Sequence, residues 1–449
     1  MALDLTRFFK ASNPTKTLDQ SKEEDRKYYI DFSSVRGTNI INDLERTITR
    51  ISPDEPTCQL FTGHIGCGKS TELLRLKKDL QEQDFHVVYF ESSQDLVMAD
   101  VDITDILLAI AHQVSENLEQ AKVKLSPTGF LGLLQGAADL LTKGLTLEGE
   151  VSIPGFGDIS ASTDGISLST GIGKVMAKTK NSTELRSLLR QYLEPRTDTL
   201  LEMINKELFE PAIKELKKQD KQGLVVIIDN LDRVDNTIKQ GQQTQPEYLF
   251  VERGEQLKQL HCHLVYTIPL VLTFSNDLGR LRNRFGVSPK LLPMVRSRSR
   301  DGKDDELGMN LLRQMILARA FPNVEPEQRL TMVSEVFDDI ETLNRLCRVS
   351  GGHVRNLMVL LYSCIQKEDP PLSRNCVEDV IRRERDSLVR TVDAEEWQLL
   401  KRVQERRNVI GEEEHQRLVR SMFVFEYQDE QGGWFSLNPI LAEAKQLTD

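Results

Sequence analysis

Apolar positions along the chain change their period several times, and each change predicts an element. From Thr38 to Ile51, Ile40, Ile41, Leu44, Ile48 and Ile51 recur at helical spacing and predict an amphipathic helix. Cys58 to Thr62 reads as a short buried strand that runs into a glycine-rich loop. The helix after that loop carries the stripe Leu73, Leu74, Leu76 and Leu80. His86 to Glu91 (HVVYFE) predicts a second strand and Asp102 to Leu118 a helix. Gly223 to Asp229 (GLVVIID) is nearly continuous in apolar residues, as expected of a strand covered on both faces, and His263 to Ile268 (HLVYTI) predicts another. Strands alternating with helices predict a doubly wound parallel α/β sheet.

The alternation breaks twice. Residues 126–182 are rich in Gly, Ser and Thr. Phe130 to Leu141 predicts a helix, and GEVSIPGFGDISASTDGISLSTG alternates small polar and apolar residues, which suggests an insertion that is part β-hairpin and part open loop. From Leu307 to about Arg390 the pattern is helical throughout. Residues 392–449 predict two short helices, a strand (Met422 to Tyr427), a turn at Asp429 to Gly433 and a returning strand (Trp434 to Leu437), with Trp397, Phe423, Phe425 and Trp434 as its core. The expected organisation is an extended polar lead-in (1–34), an α/β domain (35–300) with its insertion, a helical lid (301–390), and a small winged-helix-like α+β domain (391–449).

Composition narrows the function classes. The 449 residues carry a net charge of −11, which argues against a protein that coats nucleic acid over its surface. Six scattered cysteines without a CxxC pair suggest neither a disulfide framework nor a zinc ribbon, and a reduced cytoplasmic setting is expected. MALDLTRFFKASNP has no apolar run of signal-peptide length, and the longest uncharged apolar-looking stretch, Leu125 to Ala138, has 14 residues, too short for a membrane helix. In the strand that contains His261-Cys262-His263, successive side chains point to opposite faces, which argues against a metal site there.

Gly63-His64-Ile65-Gly66-Cys67-Gly68-Lys69-Ser70 matches GxxxxGK[ST], with an apolar strand before it and a leucine-striped helix after it. Glycines let successive backbone N–H groups surround phosphates at the positive end of a helix. Lys69 is then placed for the β- and γ-phosphates of ATP and the Ser70 hydroxyl for Mg²⁺, while Thr71 either contacts the α-phosphate or only completes the first helical turn. Cys67 fills an unspecified position. Such a loop needs a carboxylate at the end of a neighbouring apolar strand to hold the water shell of the metal, and Asp229 supplies it.

Val225 to Arg233, VVIIDNLDR, resembles the second acidic motif of STAND-class ATPases, especially their KAP and NACHT branches. That resemblance makes Asp232 the candidate to orient or deprotonate the attacking water. Asn230 stands where an ordinary AAA+ ATPase places a catalytic glutamate; it can position water but cannot accept its proton, so slow hydrolysis is implied. Further segments fall into AAA+ order. Val35-Arg36-Gly37 resembles the N-terminal box near the adenine. Thr267 occupies the sensor 1 position, or is simply a β-favoured residue. Leu281 to Gly286 resembles the arginine-finger segment, with Arg284 first and Arg280 and Arg282 as alternatives. Ser350 to Leu357 resembles the sensor 2 motif of origin-recognition and STAND-type lids, with Arg355 reaching back to the phosphates and His353 contacting nucleotide or capping the turn.

Two readings follow. One is a STAND/AAA+-like regulatory ATPase that binds ATP and Mg²⁺, self-assembles through Arg284 and signals to a protein partner; a scaffold that binds without hydrolysing is its variant. The alternative is a DNA-associated ATPase of the initiator or transposition-adaptor type. The basic run Val295 to Arg300 could meet a phosphate backbone or lie in solvent. Residues 391–449, with 12 acidic against 7 basic residues (net −5), and Glu412 to Glu414 at a helix start, favour protein docking over DNA.

Overall fold

Leu224, Val225, Val226, Ile227 and Ile228 are all buried and form the middle of a parallel sheet. The computed structural model describes residues 3–37, 39–125, 127–146, 167–239, 243–408 and 413–448. Its five parallel strands are β1 (Cys58–Gly63), β2 (His86–Glu91), β3 (Leu224–Asp229), β4 (His263–Thr267) and β5 (Lys290–Leu292), in the order β2-β3-β4-β1-β5. The strand that leads into the P-loop therefore lies inside the sheet, with β4 between it and the acidic strand. β5 was not predicted; three residues are too few to show a period.

Alternate residues of each strand enter opposite cores, as the two-residue repeat of a strand requires. Leu60, Val226, Ile228 and Leu264 pack with the helix Ile103–Gln120. Phe61, Val225, Ile227 and Val265 pack with the helices Ile40–Arg46 and Lys69–Glu82. The first of these helices starts cleanly because Asp102 and Asp105 form a reciprocal capping box.

The insertion contains the helix expected around Phe130 to Leu141. Its described parts are two helices, Thr128–Thr146 and Leu168–Lys180. Phe130, Leu134, Ala137, Leu141, Ile172 and Val175 recur at helical spacing and extend the core on the Ile103–Gln120 side. Most of the hairpin-like stretch (149–171) falls within residues 147–166, which lie outside the described residues.

The N-terminal segment is not an extended lead-in either. Asp4 caps a helix, Leu5–Ala11, whose Phe8 is fully buried in the core of the helical lid. Phe9 stacks on Tyr362 of the lid with ring centroids 4.3 Å apart. The lid itself is built from the helices Glu306–Ala320, Ile340–Val349, Val354–Lys367 and Arg374–Val389.

After it come the helices Ala394–Arg406 and Glu413–Arg420 and an antiparallel hairpin, β6 (Val424–Asp429) and β7 (Gly432–Leu437). The aromatic residues here do not form one small core. Phe423, Phe435 and Trp397 pack with Leu399, Leu400 and Val403. Phe425, Tyr427 and Trp434 instead join the core beneath the P-loop helix. Two arginines of the basic run are engaged within the chain, Arg296 with Asp305 at 3.1 Å and Arg300 with Asp429 through two hydrogen bonds of 2.7 and 3.0 Å, while Arg298 is exposed. No helix among the described residues is long and apolar enough to cross a membrane.

Candidate nucleotide site

The P-loop lies between β1 and its helix, where the lysine is already held inward. The Lys69 ammonium donates to the carbonyls of Gly63 and His64, both at 2.8 Å, and meets Asp232 Oδ2 at 2.9 Å. Burial works most strongly against its charge, yet the attraction of Asp232, together with smaller contributions from Asp229 and its other neighbours, outweighs burial and raises its pKa. Asp232 comes from the short 3-10 turn Leu231–Arg233 that follows β3. Its Oδ1 is buried without a partner among the described residues.

Asp229 ends β3 and is almost wholly buried. Its carboxylate accepts hydrogen bonds from the Tyr89 hydroxyl at 2.8 Å and the Asn230 N–H at 2.7 Å, and the Ser70 hydroxyl lies within reach of it. Burial raises its pKa and the nearby charge of Asp232 adds to the rise, against the hydrogen bonds from Ser70 and Tyr89. A buried carboxylate beside a serine hydroxyl is a donor set suited to a hydrated Mg²⁺, whose charge would reverse that rise.

Glycine is required where the lid meets the loop. A Cβ on Gly66 (φ +83°) would lie 2.8 Å from the His353 ring and 2.9 Å from Arg355 Cβ. The lid helix Val354–Lys367 is capped by His353, whose Nδ1 accepts from the Asn356 N–H and whose Nε2 donates to the Ile65 carbonyl at 2.8 Å. The Arg355 N–H donates to the Gly66 carbonyl, and its guanidinium lines the pocket with no ion-pair partner among the described residues. Burial, then the like charge of Arg233, lowers its pKa.

Arg36 is buried against the loop and donates from Nη2 to the Cys67 carbonyl at 2.7 Å, leaving Nε and Nη1 unpartnered at the pocket wall. Gly37 approaches the C-terminal hairpin, since a Cβ there would lie 2.8 Å from the Gln428 carbonyl oxygen. Gly68, Lys69, Ser70 and Thr71 line the pocket; Cys67 is buried with its thiol toward Leu292.

Three further side chains lie outside the pocket wall. His64 turns away from the pocket and accepts from the Glu426 N–H of β6 at 3.0 Å. Thr267 spends its hydroxyl on the backbone, accepting from the Leu231 N–H at 3.0 Å and donating to the Ile228 carbonyl at 3.2 Å, so it braces the turn that carries Asp232. Arg284 lies away from this pocket and is tied to the Val251 carbonyl and Glu255. Arg280 is likewise paired with Asp277 and Glu252, whereas Arg282 is exposed.

Other pocket residues were not anticipated. Pro14, Leu18, Tyr28 and Tyr29 from the N-terminal segment and Met315 and Met358 from the lid form an apolar and aromatic wall. Tyr28-Tyr29 just before Arg36 was the available signal. Glu91, which ends β2 in register with Asp229 and lies outside that wall, was missed because a final strand glutamate resembles any solvent-facing end.

A parallel β2-β3-β4-β1-β5 sheet with a P-loop after its inner strand, an acidic strand one place further along and a helical lid is a P-loop NTPase fold. Residues 38–240 match the KAP family P-loop domain. No curated protein matches the chain in sequence. Among solved structures it is similar to the Aeropyrum pernix Orc1 protein, described in complex with DNA, at 12% identity and a TM-score of 0.38, covering 98% of this chain and 97% of that one. It is similar also to Cdc6p from Pyrobaculum aerophilum, at 12% identity and a TM-score of 0.38, covering 100% and 98%.

Proposed function

We propose that this protein is an Mg²⁺-dependent regulatory ATPase whose nucleotide state is passed to a protein partner through its C-terminal module. One observation carries the reading: the P-loop touches both the lid and the hairpin. Ile65 and Gly66 bond to His353 and Arg355, and His64 bonds to Glu426. Phosphates entering the loop would displace contacts that all three elements share. The aromatic wall suits a purine base, Lys69, Arg36 and Arg355 suit its phosphates, and Ser70 with Asp229 suits the metal. When bound, Mg²⁺ would neutralise charge on the β- and γ-phosphates.

Within this reading Asp232 holds Lys69 until phosphate replaces it, and Arg284, freed from Glu255, or the exposed Arg282 would act on a neighbouring copy. What favours a protein partner over DNA is that Arg296 and Arg300 are spent on internal ion pairs. Sedimentation of wild type, Lys69→Ala and Arg284→Ala, with and without ATP and duplex DNA, tests it. ATP-dependent assembly of wild type alone, indifferent to DNA, is expected. Salt-sensitive binding to the duplex would replace the partner-directed reading with the DNA-associated one.

A further inference from the structure

Beside the pocket, joined to it through Asn230, lies a carboxylate to which nothing above gives a role. β2 and β3 run in register, so Glu91 lies beside Asp229 at the open ends of the two strands. The two-residue repeat puts Glu91 on the same face as Tyr89, whose hydroxyl reaches Asp229 from the side of the P-loop helix. Ser92 fixes the strand end by donating to the Asp229 carbonyl at 2.8 Å.

Asn230 holds this carboxylate in place. Its backbone is left-handed (φ +65°), a conformation asparagine tolerates, and that turn sends the amide across to β2. There Nδ2 donates to Glu91 Oε2 at 3.1 Å and to the Ser93 hydroxyl at 3.2 Å. Asn230 also lines the pocket beside Asp232. Glu91 is half-buried and has no cationic partner among the described residues, so its carboxylate keeps lone pairs for water. The other carboxylates are engaged in this structure: Asp232 with Lys69, which it would release only as phosphate takes its place, Glu72 with Tyr29 and Arg75, and Asp229 with Tyr89 and Ser70.

We propose that Glu91 orients the attacking water and takes its proton, and that Asn230 is its positioning residue. The residue after the metal-side aspartate thus contributes an amide, and the neighbouring strand contributes the base. In the step, the water oxygen bonds to the γ-phosphorus and its proton passes to a Glu91 carboxylate oxygen. The bond from that phosphorus to the β–γ bridging oxygen breaks, its electron pair leaving on ADP. This inference rests on the ATPase reading, and the experiment separates the two.

Wild type, Glu91→Gln and Asn230→Gly are compared by titration with a fluorescent ATP analogue, by phosphate release, and by chromatography of the nucleotide that stays on the protein after gel filtration. Glu91→Gln is expected to bind within about threefold of wild type, to release phosphate at least roughly thirtyfold more slowly, and to retain ATP rather than ADP. Asn230→Gly keeps the left-handed backbone and removes only the amide; it should lower kcat about tenfold or more with KM nearly unchanged. A smaller effect of Glu91→Gln, or loss of nucleotide binding by it in a folded protein, overturns the proposal. If Glu91→Gln does not fold, Asn230→Gly decides by the same kcat-against-KM split. A wild type that neither binds nor turns over ATP overturns the ATPase reading itself, and this inference with it.

Discussion

The Lys69 ammonium and the Asp232 carboxylate meet at 2.9 Å with 6% of each side chain exposed. A pair this buried is poorly replaced by water, and removing one partner leaves the other charge uncompensated. Asp232→Ala is therefore expected to cost about 3 kcal/mol in urea unfolding, the low end for a buried pair because two carbonyls still hold Lys69. Saturating Mg·ATP should recover much of that loss, since phosphate supplies the missing negative charge. Unchanged stability of Asp232→Ala would show that the pair contributes nothing to the fold.

The lid and the loop share a surface with no room for a methyl group. Gly66→Ala places its Cβ against the His353 ring and Arg355 and also strains a backbone at φ +83°. A destabilisation of roughly 1–3 kcal/mol is expected, together with faster hydrogen exchange in the lid helix Val354–Lys367. Exchange confined to the P-loop, with the lid helix unaffected, would argue that the lid does not depend on this contact.

Arg355 should matter to affinity rather than to folding, because its guanidinium has no ion-pair partner among the described residues. A lost charge-assisted hydrogen bond to phosphate is worth about 1.5–3 kcal/mol, so Arg355→Ala should weaken ATP binding roughly 10- to 100-fold in a fluorescent-nucleotide titration. AMP, which lacks the outer phosphates, should be affected much less.

The α/β core could be read from the chain because Val225 to Ile228, Leu73 to Leu80 and the P-loop are local patterns with one dominant period or spelling. Asp229 and Lys69 were legible for the same reason. Phe8 was not, since its partners lie some 300 residues away in the lid and nothing local in a short polar segment announces it. In the insertion the stripe Phe130, Leu134 and Leu141 was legible as a helix, whereas the helix Leu168–Lys180 was not, since Gly171, Gly173 and the Ser and Thr residues around them resemble an open loop. Phe425 and Trp434 were assigned to the wrong core because periodicity shows which residues share a face, not which neighbour covers that face. Glu91 depended on strand register, and register between β2 and β3 spans a connection of more than a hundred residues.

Where the hairpin covers the P-loop, a buried acid and two buried imidazoles set a pH dependence. Burial alone pushes the Glu426 carboxyl up to about 8, and its Oε2 has no partner among the described residues. Burial, aided by the charges of His353 and Lys69, lowers His64 to about 3; burial likewise lowers His353 to about 4. Between its ordinary value of 4.5 and about 8, Glu426 keeps its proton in the folded protein and loses it in the unfolded chain, so its contribution to stability falls as pH rises. The two histidines act in the opposite sense: below their ordinary value of 6.5 the unfolded chain takes up protons that the folded protein refuses, so stability falls as pH drops. Glu426→Gln removes only the first effect. Relative to wild type, the variant should gain stability from about pH 4.5 to about pH 8, at up to roughly 1.4 kcal/mol per pH unit, and the difference should level off above that range. Urea unfolding of both proteins at half-unit steps of pH measures this directly. A difference that does not change with pH would show that Glu426 titrates like an exposed carboxylate and that the hairpin is not seated on the loop in solution.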